Sequence, residues 1–294
     1  MTTISGESSP TSRQASKANN TLKNIGLGIS VFLVLIFCLS PVMWQLLTSF
    51  KTTEEILQVP TVYFTLNLTL KHYIDLFSTR PFWRYILNSA LISFISTALA
   101  LGLGAPAAYA LARLRPRGTQ VILAGVLIVT LFPGILLFLG LLEIIQWLNL
   151  GNNYLALIIP YTAINLPLTI LVLRSFFEQL PKDLEDSARM DGYTTVQMLI
   201  KILLPMTIPA LVTTGILTFI FAWNEFIFAL TFITRDEMKT IPIAAAQLGG
   251  ASSYEIPYGA IAAATVIGTL PLVLLVLFFQ RKIVQGLTAG AVKG

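Results

Sequence analysis

The segment Leu184–Leu211, LEDSARMDGYTTVQMLIKILLPMTIPAL, decides how the rest of the chain is read. It is a polar, charged helix-turn-helix wedged between two long apolar blocks. Leu180 and Pro181 are expected to open its first helix, because proline is favoured at the first helical position. Leu184 and Ala188 then fall on one face at i, i+4, with Asp183, Glu185, Asp186 and Arg189 around the rest. Gly192 closes that helix, where a left-handed residue is needed. Thr194 and Gln197 make a capping box for the next helix. Val196, Leu199, Ile200 and Leu203 are expected to form its apolar stripe, and Pro205 breaks the pattern ahead of the following block. A module of this kind, held on one side of a membrane, presents a handle to a soluble partner.

Composition supports the membrane. Of 294 residues, 55% are hydrophobic and only 11% charged, against about 25% charged in a soluble domain, and the mean hydropathy is +0.78. The apolar residues sit in blocks long enough to cross a bilayer, which takes roughly 20 residues per helix. Six are read: Leu27–Leu47, Ile86–Ala112, Val121–Leu142, Tyr154–Leu173, Thr207–Ile233 and Tyr258–Phe279. They must be helices, because lipid offers the backbone no hydrogen-bond partner. The expected fold is all-α: a polytopic membrane protein with six transmembrane helices and a module between spans four and five.

Residues 1–24, rich in Ser, Thr and Asn, read as a disordered tail. The long apolar run after them lacks a small-residue cleavage pattern and is kept as the first span rather than a signal peptide. Six spans put both termini on one side. That side collects Arg13, Lys17, Lys23, Arg113, Arg115, Arg117, Arg174, Lys182, Arg189, Lys201, Arg281, Lys282 and Lys293, which are 13 of the 19 basic residues. Basic loops stay in the cytoplasm, so the termini and the module are expected there. The net charge of +5 follows from the same rule and does not point to nucleic acid.

Cys38 stands alone in an apolar run, and His72 alone in the first outer loop, so the usual metal-ligand spacings cannot be built. There is no G-x-x-x-x-G-K-[ST] phosphate loop, and this chain is not expected to bind or hydrolyse ATP itself. Its spans also hold no catalytic pairing of Ser, His or Asp.

Three readings of the module compete. An amphipathic connector lying on the membrane surface is the plain one. A DNA-binding helix-turn-helix fails on charge: from Pro181 to Leu204 three bases face four acids, a net −1 that repels phosphates. The third rests on detail. Asp186-Ser187-Ala188, then Asp191-Gly192, then Ile202-x-Leu204-Pro205 resembles the coupling motif of binding-protein-dependent ABC importer permeases, which runs Glu-Ala-Ala, Asp-Gly, Ile-x-Leu-Pro. The departures are Asp186 for Glu and Ser187 for Ala, and the adjacent Glu185 is a second candidate for the acid's role. The resemblance implies a helix that docks in a cleft of a separate ATPase subunit, with the acid paired to a base there and the glycine giving a sharp turn.

Two further stretches are similar to the maltose-type carbohydrate branch, as its smaller permease subunit. One is the tail GLTAGAVKG (Gly286–Gly294), with Gly286, Thr288, Gly290 and Lys293. The resemblance implies that it reaches, extended, between two ATPase subunits; the plain alternative is a frayed end. The other is Trp223-Asn224-Glu225-Phe226 in span five. An ionisable residue in a membrane helix is costly, so Asn224 and Glu225 either hold neighbouring helices together or line a solute pathway. Asn165, between Pro160 and Pro167 in span four, either faces such a pathway or caps a broken turn. Gly102, Gly104, Ala108 and Ala112 in span two are read as packing residues. The resemblance also implies that the loop with Gln247, Gly249 and Gly250 probes the binding protein, although glycines fit any turn.

The organisation expected is a tail over 1–24, a six-helix permease domain over 25–284 containing the coupling module 178–206, and a tail over 285–294 that contacts ATPases. The function expected is a permease subunit, not itself an enzyme, of an ATP-driven importer of a sugar or sugar-like solute. Its partners would be a homologous second permease, two ATPase subunits carrying ATP and Mg, an external binding protein and the lipid of a bacterial inner membrane. The alternative is a self-sufficient secondary transporter or channel, which calls for internal symmetry and mid-membrane charges; no clear repeat is found, and Glu225 is the only strong candidate.

Overall fold

Apolar blocks without competing water close their backbone hydrogen bonds locally, and helices are the only regular structure among the described residues. The computed structural model describes residues 10–251 and 256–291, excluding the side chains of 10–22, 134–135, 250–251 and 283–291. In chain order, α1 spans Pro10–Phe50, and the short α2 (Thr53–Leu57) and α3 (Lys71–Thr79) lead into α4 (Phe82–Tyr109), which a π turn over Ala110–Leu114 prolongs. Next come α5 (Thr119–Leu131), α6 (Gly134–Trp147) and α7 (Leu155–Gln179). The module holds α8 (Asp183–Met190), α9 (Thr195–Met198), a second π turn (Leu199–Leu203) and α10 (Leu204–Met206). Then follow α11 (Ile208–Asn224), α12 (Ile227–Phe232), α13 (Ile241–Ala246) and α14 (Tyr258–Ala291).

Among the described residues, four helices are long and apolar enough to cross a membrane unaided: Lys23–Phe50, Phe82–Leu114, Leu155–Gln179 and Tyr258–Lys282. The count reaches six when each of two bent pairs is one span, as the all-α polytopic reading requires. The bends correct two expectations. Span three is not one straight helix: α5 and α6 meet at 96° across Phe132-Pro133, because Pro133 has no N–H to continue the ladder. The module's last helices meet α11 at 79°. Span five, expected unbroken to Ile233, is interrupted after Asn224 and resumes as α12.

The core is α4 packed against α7 and α11, with α14 along α11 and α1 along α14. Gly104 explains how closely α4 approaches α7: a Cβ there would lie 2.5 Å from Thr169 Cγ2. Ala108 and Ala112 continue this buried face, whereas Gly102 looks into open space. Two residues apart on a helix is nearly opposite, so Gly102 leaves the expected packing stripe. The described side chains of α1 from Lys23 to Gln45 are exposed, as suits a helix whose surroundings are lipid or another subunit.

The ends of the chain depart from expectation. Helix α1 starts at Pro10, inside the segment read as an unstructured tail. Once an apolar helix exists, adding turns needs no new nucleus, and no Gly or Pro lies between Thr11 and Asn24. Likewise α14 stays helical through Gly286, Thr288 and Gly290, where an extended tail was expected. Glycine lowers helix propensity by about 1 kcal/mol but does not forbid a helix. Lys293 lies outside the described residues.

At the end of the bundle opposite the module, the 235–241 segment is tied to α4. The Tyr85 hydroxyl donates to Asp236 Oδ2 at 2.8 Å. The Asn88 amide donates to the carbonyls of Glu237 at 3.0 Å and Lys239 at 2.9 Å. The Ile241 amide donates to Ser89 Oγ at 2.9 Å, and the Tyr154 hydroxyl donates to Asn88 Oδ1 at 2.8 Å.

Candidate coupling site

The module's first helix begins at Asp183, two residues later than expected, and Pro181 precedes it exposed. Asp183, Glu185 and Asp186 occupy its first turn, where carboxylates complement the helix dipole. Its C-terminus is a Schellman motif: the Tyr193 amide donates to the Ala188 carbonyl and the Gly192 amide to that of Arg189, each at 3.0 Å. Gly192 sits at φ +81, as anticipated for the turn residue. The expected capping box is present: the Gln197 amide donates to Thr194 Oγ1 at 3.3 Å and the Thr194 amide to Gln197 Oε1 at 3.0 Å.

The underside of the module is apolar. Ala188, Met198, Leu199 and Leu203 are buried with Leu173 and Phe177 of α7 and with Ala105, Ala108, Tyr109 and Ala112 at the end of α4. This corrects the predicted stripe, since Val196 and Ile200 are 64% and 58% exposed. The seat offered by α4 and α7 meets one side of α9 only. Met198 takes the inward place, while Val196 and Ile200 turn outward with Met190, which is 90% exposed. The outer face therefore combines Asp186, Ser187, Asp191 and Gly192 with Met190, Tyr193, Val196 and Ile200. Ile202 and Leu204 are half-buried against the apolar cluster, and Pro205 at the start of α10 is exposed.

The two neighbouring acids have opposite surroundings. Glu185 is buried, with its carboxylate 3.0 Å from Arg113 Nε. The two atoms are off the hydrogen-bond axis, so the contact is one of charge. Arg113 also donates from Nη2 to the Leu180 carbonyl, and Arg189 lies 3.9 Å from the other oxygen of Glu185. Asp186 is exposed and takes part in no ion pair among the described residues. Of the two candidates, only Asp186 is available to an outside base. Spacing sets Glu185 three residues before Ala188, on the same side of the helix, but its burial depends on Arg113 arriving from a distant part of the chain.

The other predicted residues separate. Asn165 is buried and donates to the Tyr161 carbonyl at 2.8 Å, which reinforces its own turn between two prolines. The Trp223 indole donates to the Gly268 carbonyl at 3.0 Å and so packs α11 on α14. Asn224 is exposed and donates to the Ile220 carbonyl at 2.9 Å. Glu225, in the break between α11 and α12, accepts from the amides of Phe228 at 2.9 Å and Ala229 at 3.2 Å, and from the Tyr161 hydroxyl at 2.5 Å. Gln247, Gly249 and Gly250 lie in a 3₁₀ turn continuing α13, with Leu248 buried between them. Residues 252–255 of that loop lie outside the described ones.

The described residues thus form a polytopic helical bundle with a folded, partly apolar module at one end. Residues 100–289 match the family of binding-protein-dependent transport system inner membrane components, and the chain belongs to that family. It is 40% identical over 266 residues to the sulfoquinovosyl glycerol transport system permease of Agrobacterium fabrum, covering 90% of this chain and 93% of that one. It is 42% identical over 275 residues to the trehalose/maltose permease MalG of Thermococcus litoralis, covering 93% and 98%. The trehalose permease SugB of Mycobacterium tuberculosis is 40% identical over 262 residues, covering 89% and 95%. The fold superposes with a TM-score of 0.72 on a chain of a bacterial ABC transporter involved in alginate import, at 22% identity, covering 94% of this chain and 99% of that chain. The chain is thus a membrane-spanning permease component of a binding-protein-dependent transporter, as expected.

Proposed function

We propose that the chain imports a sugar or sugar-like solute as one of two homologous permease subunits. It would sit in a bacterial inner membrane with both termini and the module cytoplasmic. Two ATPase subunits bind the ATP and Mg, and an external binding protein delivers the solute. The observation that carries this reading is the outer face of the module, where Asp186 has no ion-pair partner among the described residues and stands beside the exposed Met190, Tyr193, Val196 and Ile200. An apolar patch beside the free carboxylates of Asp186 and Asp191 suits a protein cleft better than solvent. The sugar assignment rests on the relatives, which are named for sulfoquinovosyl glycerol, trehalose and maltose.

In this reading the ATPases close on ATP and carry the module with them, turning it at Gly192 and rocking the spans between inward-open and outward-open states. Asp191 shapes the turn with Gly192, and Ile202, Leu204 and Pro205 join the module to α11. The helical end of α14 with Gly286, Thr288, Gly290 and Lys293 would contact the ATPases, and the turn with Gln247, Gly249 and Gly250 the binding protein. Asn165, Trp223, Asn224 and Glu225 shape the spans around the solute path.

Affinity purification of the tagged chain from its own membranes tests this. An ATPase of separate sequence and a second permease should co-purify, and ATP should drive uptake of labelled trehalose or maltose into proteoliposomes. Uptake by this chain alone, driven by an ion gradient, would overturn it.

A further inference from the structure

We infer that α4 is the strut that carries the motor's stroke across the membrane, and that Arg113 is the positioning residue fixing the module to its foot. This rests on the coupling reading above. Side-chain bonds tie α4 at both ends to segments distant in sequence. At one end Tyr85, Asn88 and Ser89 hold the 235–241 segment. That segment runs directly into α13 and the Gln247–Ala251 turn proposed to meet the binding protein. At the other end, Arg113 holds Glu185 of α8 by charge and the Leu180 carbonyl by a hydrogen bond.

The helical path from Tyr85 to Arg113 spans about 42 Å at 1.5 Å per residue. It packs closely on α7 at Gly104 and Thr169, and the helix continues through Pro106. The side chains of Arg113 and Glu185 are 7% and 10% exposed. A pair so far from water is held tightly, because separating it leaves a buried charge without compensation. The foot of the strut is a π turn closed by the Arg115 amide on the Ala110 carbonyl at 2.9 Å, a geometry often found at functional sites. Motion of α8 therefore pulls on α4 through a charged clasp and not through apolar contact alone, and α4 delivers it to the loop at the far end.

The test uses the whole importer in proteoliposomes, reading ATP hydrolysis with and without excess binding protein. Arg113→Gln combined with Glu185→Gln, which removes both charges and strands neither, should leave the basal rate and the amount of assembled complex near wild type, and reduce stimulation by the binding protein about fivefold or more. The exchange Arg113→Glu with Glu185→Arg should recover most of it. Asn88→Ala, at the opposite end, should show the same loss. Wild-type stimulation in the neutral pair, while Asp186→Asn has lost it, would overturn the strut and leave the coupling reading intact. Parallel loss of basal and stimulated rates without rescue by the exchange, or failure of every Arg113 variant to assemble, would assign the pair to folding and also overturn it.

Discussion

The hydroxyl of Tyr161 on α7 donates to Glu225 at 2.5 Å, and the same carboxylate caps the amides of Phe228 and Ala229 where span five breaks. One acid thus starts α12 and ties it to a neighbouring helix. Glu225→Ala would leave two amides and a phenol without their acceptor, at about 1–3 kcal/mol for each buried group orphaned. The purified complex should melt several degrees lower, and Glu225→Gln, which keeps an acceptor, should fall between. An unchanged melting curve for Glu225→Ala would sink this account.

Glu185 and Asp186 are neighbours with separable roles. Glu185→Gln strands the buried Arg113 charge and should cost about 3–5 kcal/mol, read as lower complex yield and melting temperature. Asp186→Asn lies on the exposed face and should change stability by less than about 0.5 kcal/mol while uptake falls. Normal uptake in Asp186→Asn at normal complex levels would remove it from the coupling interface.

Gly192 has φ +81 and open space around its Cα. A β-branched residue there meets only backbone strain, about 1–2 kcal/mol. Gly192→Val should distort the turn and uncouple ATP hydrolysis from uptake, and Gly192→Asn should do so less, since Asn tolerates the left-handed region. Equal activity of both variants and wild type would show that the turn need not be sharp.

Gly104→Ala drives a methyl against Thr169 Cγ2. Overpacking of this kind costs about 1–3 kcal/mol. Adding Thr169→Ala removes the opposing methyl and should restore part of the loss, a non-additivity that a double-mutant cycle of thermal melts reads directly. Additive effects would mean the helices are not in contact at this point.

Asp236 is held below the usual carboxylate range, first by its hydrogen bond from Lys239 and also by that from Tyr85. Because the folded form keeps the carboxylate charged, its contribution is full above the usual carboxylate range and is lost as pH falls through the depressed value. Asp236→Asn should lower the melting temperature at neutral pH, where the charged contribution is full, and converge with wild type at low pH, so that the acid side of its profile is flatter. Superimposable profiles would show that Asp236 does not anchor the loop.

Much of the fold was legible because membrane helices are written in runs of residues: lipid penalises unpaired backbone polar groups, so apolar length alone points to a span. The breaks were harder to read. Pro133 signals a broken third span, yet Pro106, Pro160 and Pro167 lie inside helices that continue. Whether a proline ends a helix depends on neighbours able to satisfy the freed carbonyls, and those come from other parts of the chain. Glu225 was visible as a costly charge, but its role as a cap required α12 to begin where it does.

By itself the sequence determined the helical class, the Gly192 turn and the Thr194–Gln197 cap, because each depends on residues within about one turn of one another. Only the tertiary structure decided which of two adjacent acids is hidden and which is free. Arg113 lies 72 residues from Glu185 in the chain, and a charge is buried only where a distant partner arrives to compensate it. The same reason governs Val196 and Ile200: periodicity says that they are apolar, and the shape of the seat on α4 and α7 leaves them facing outward.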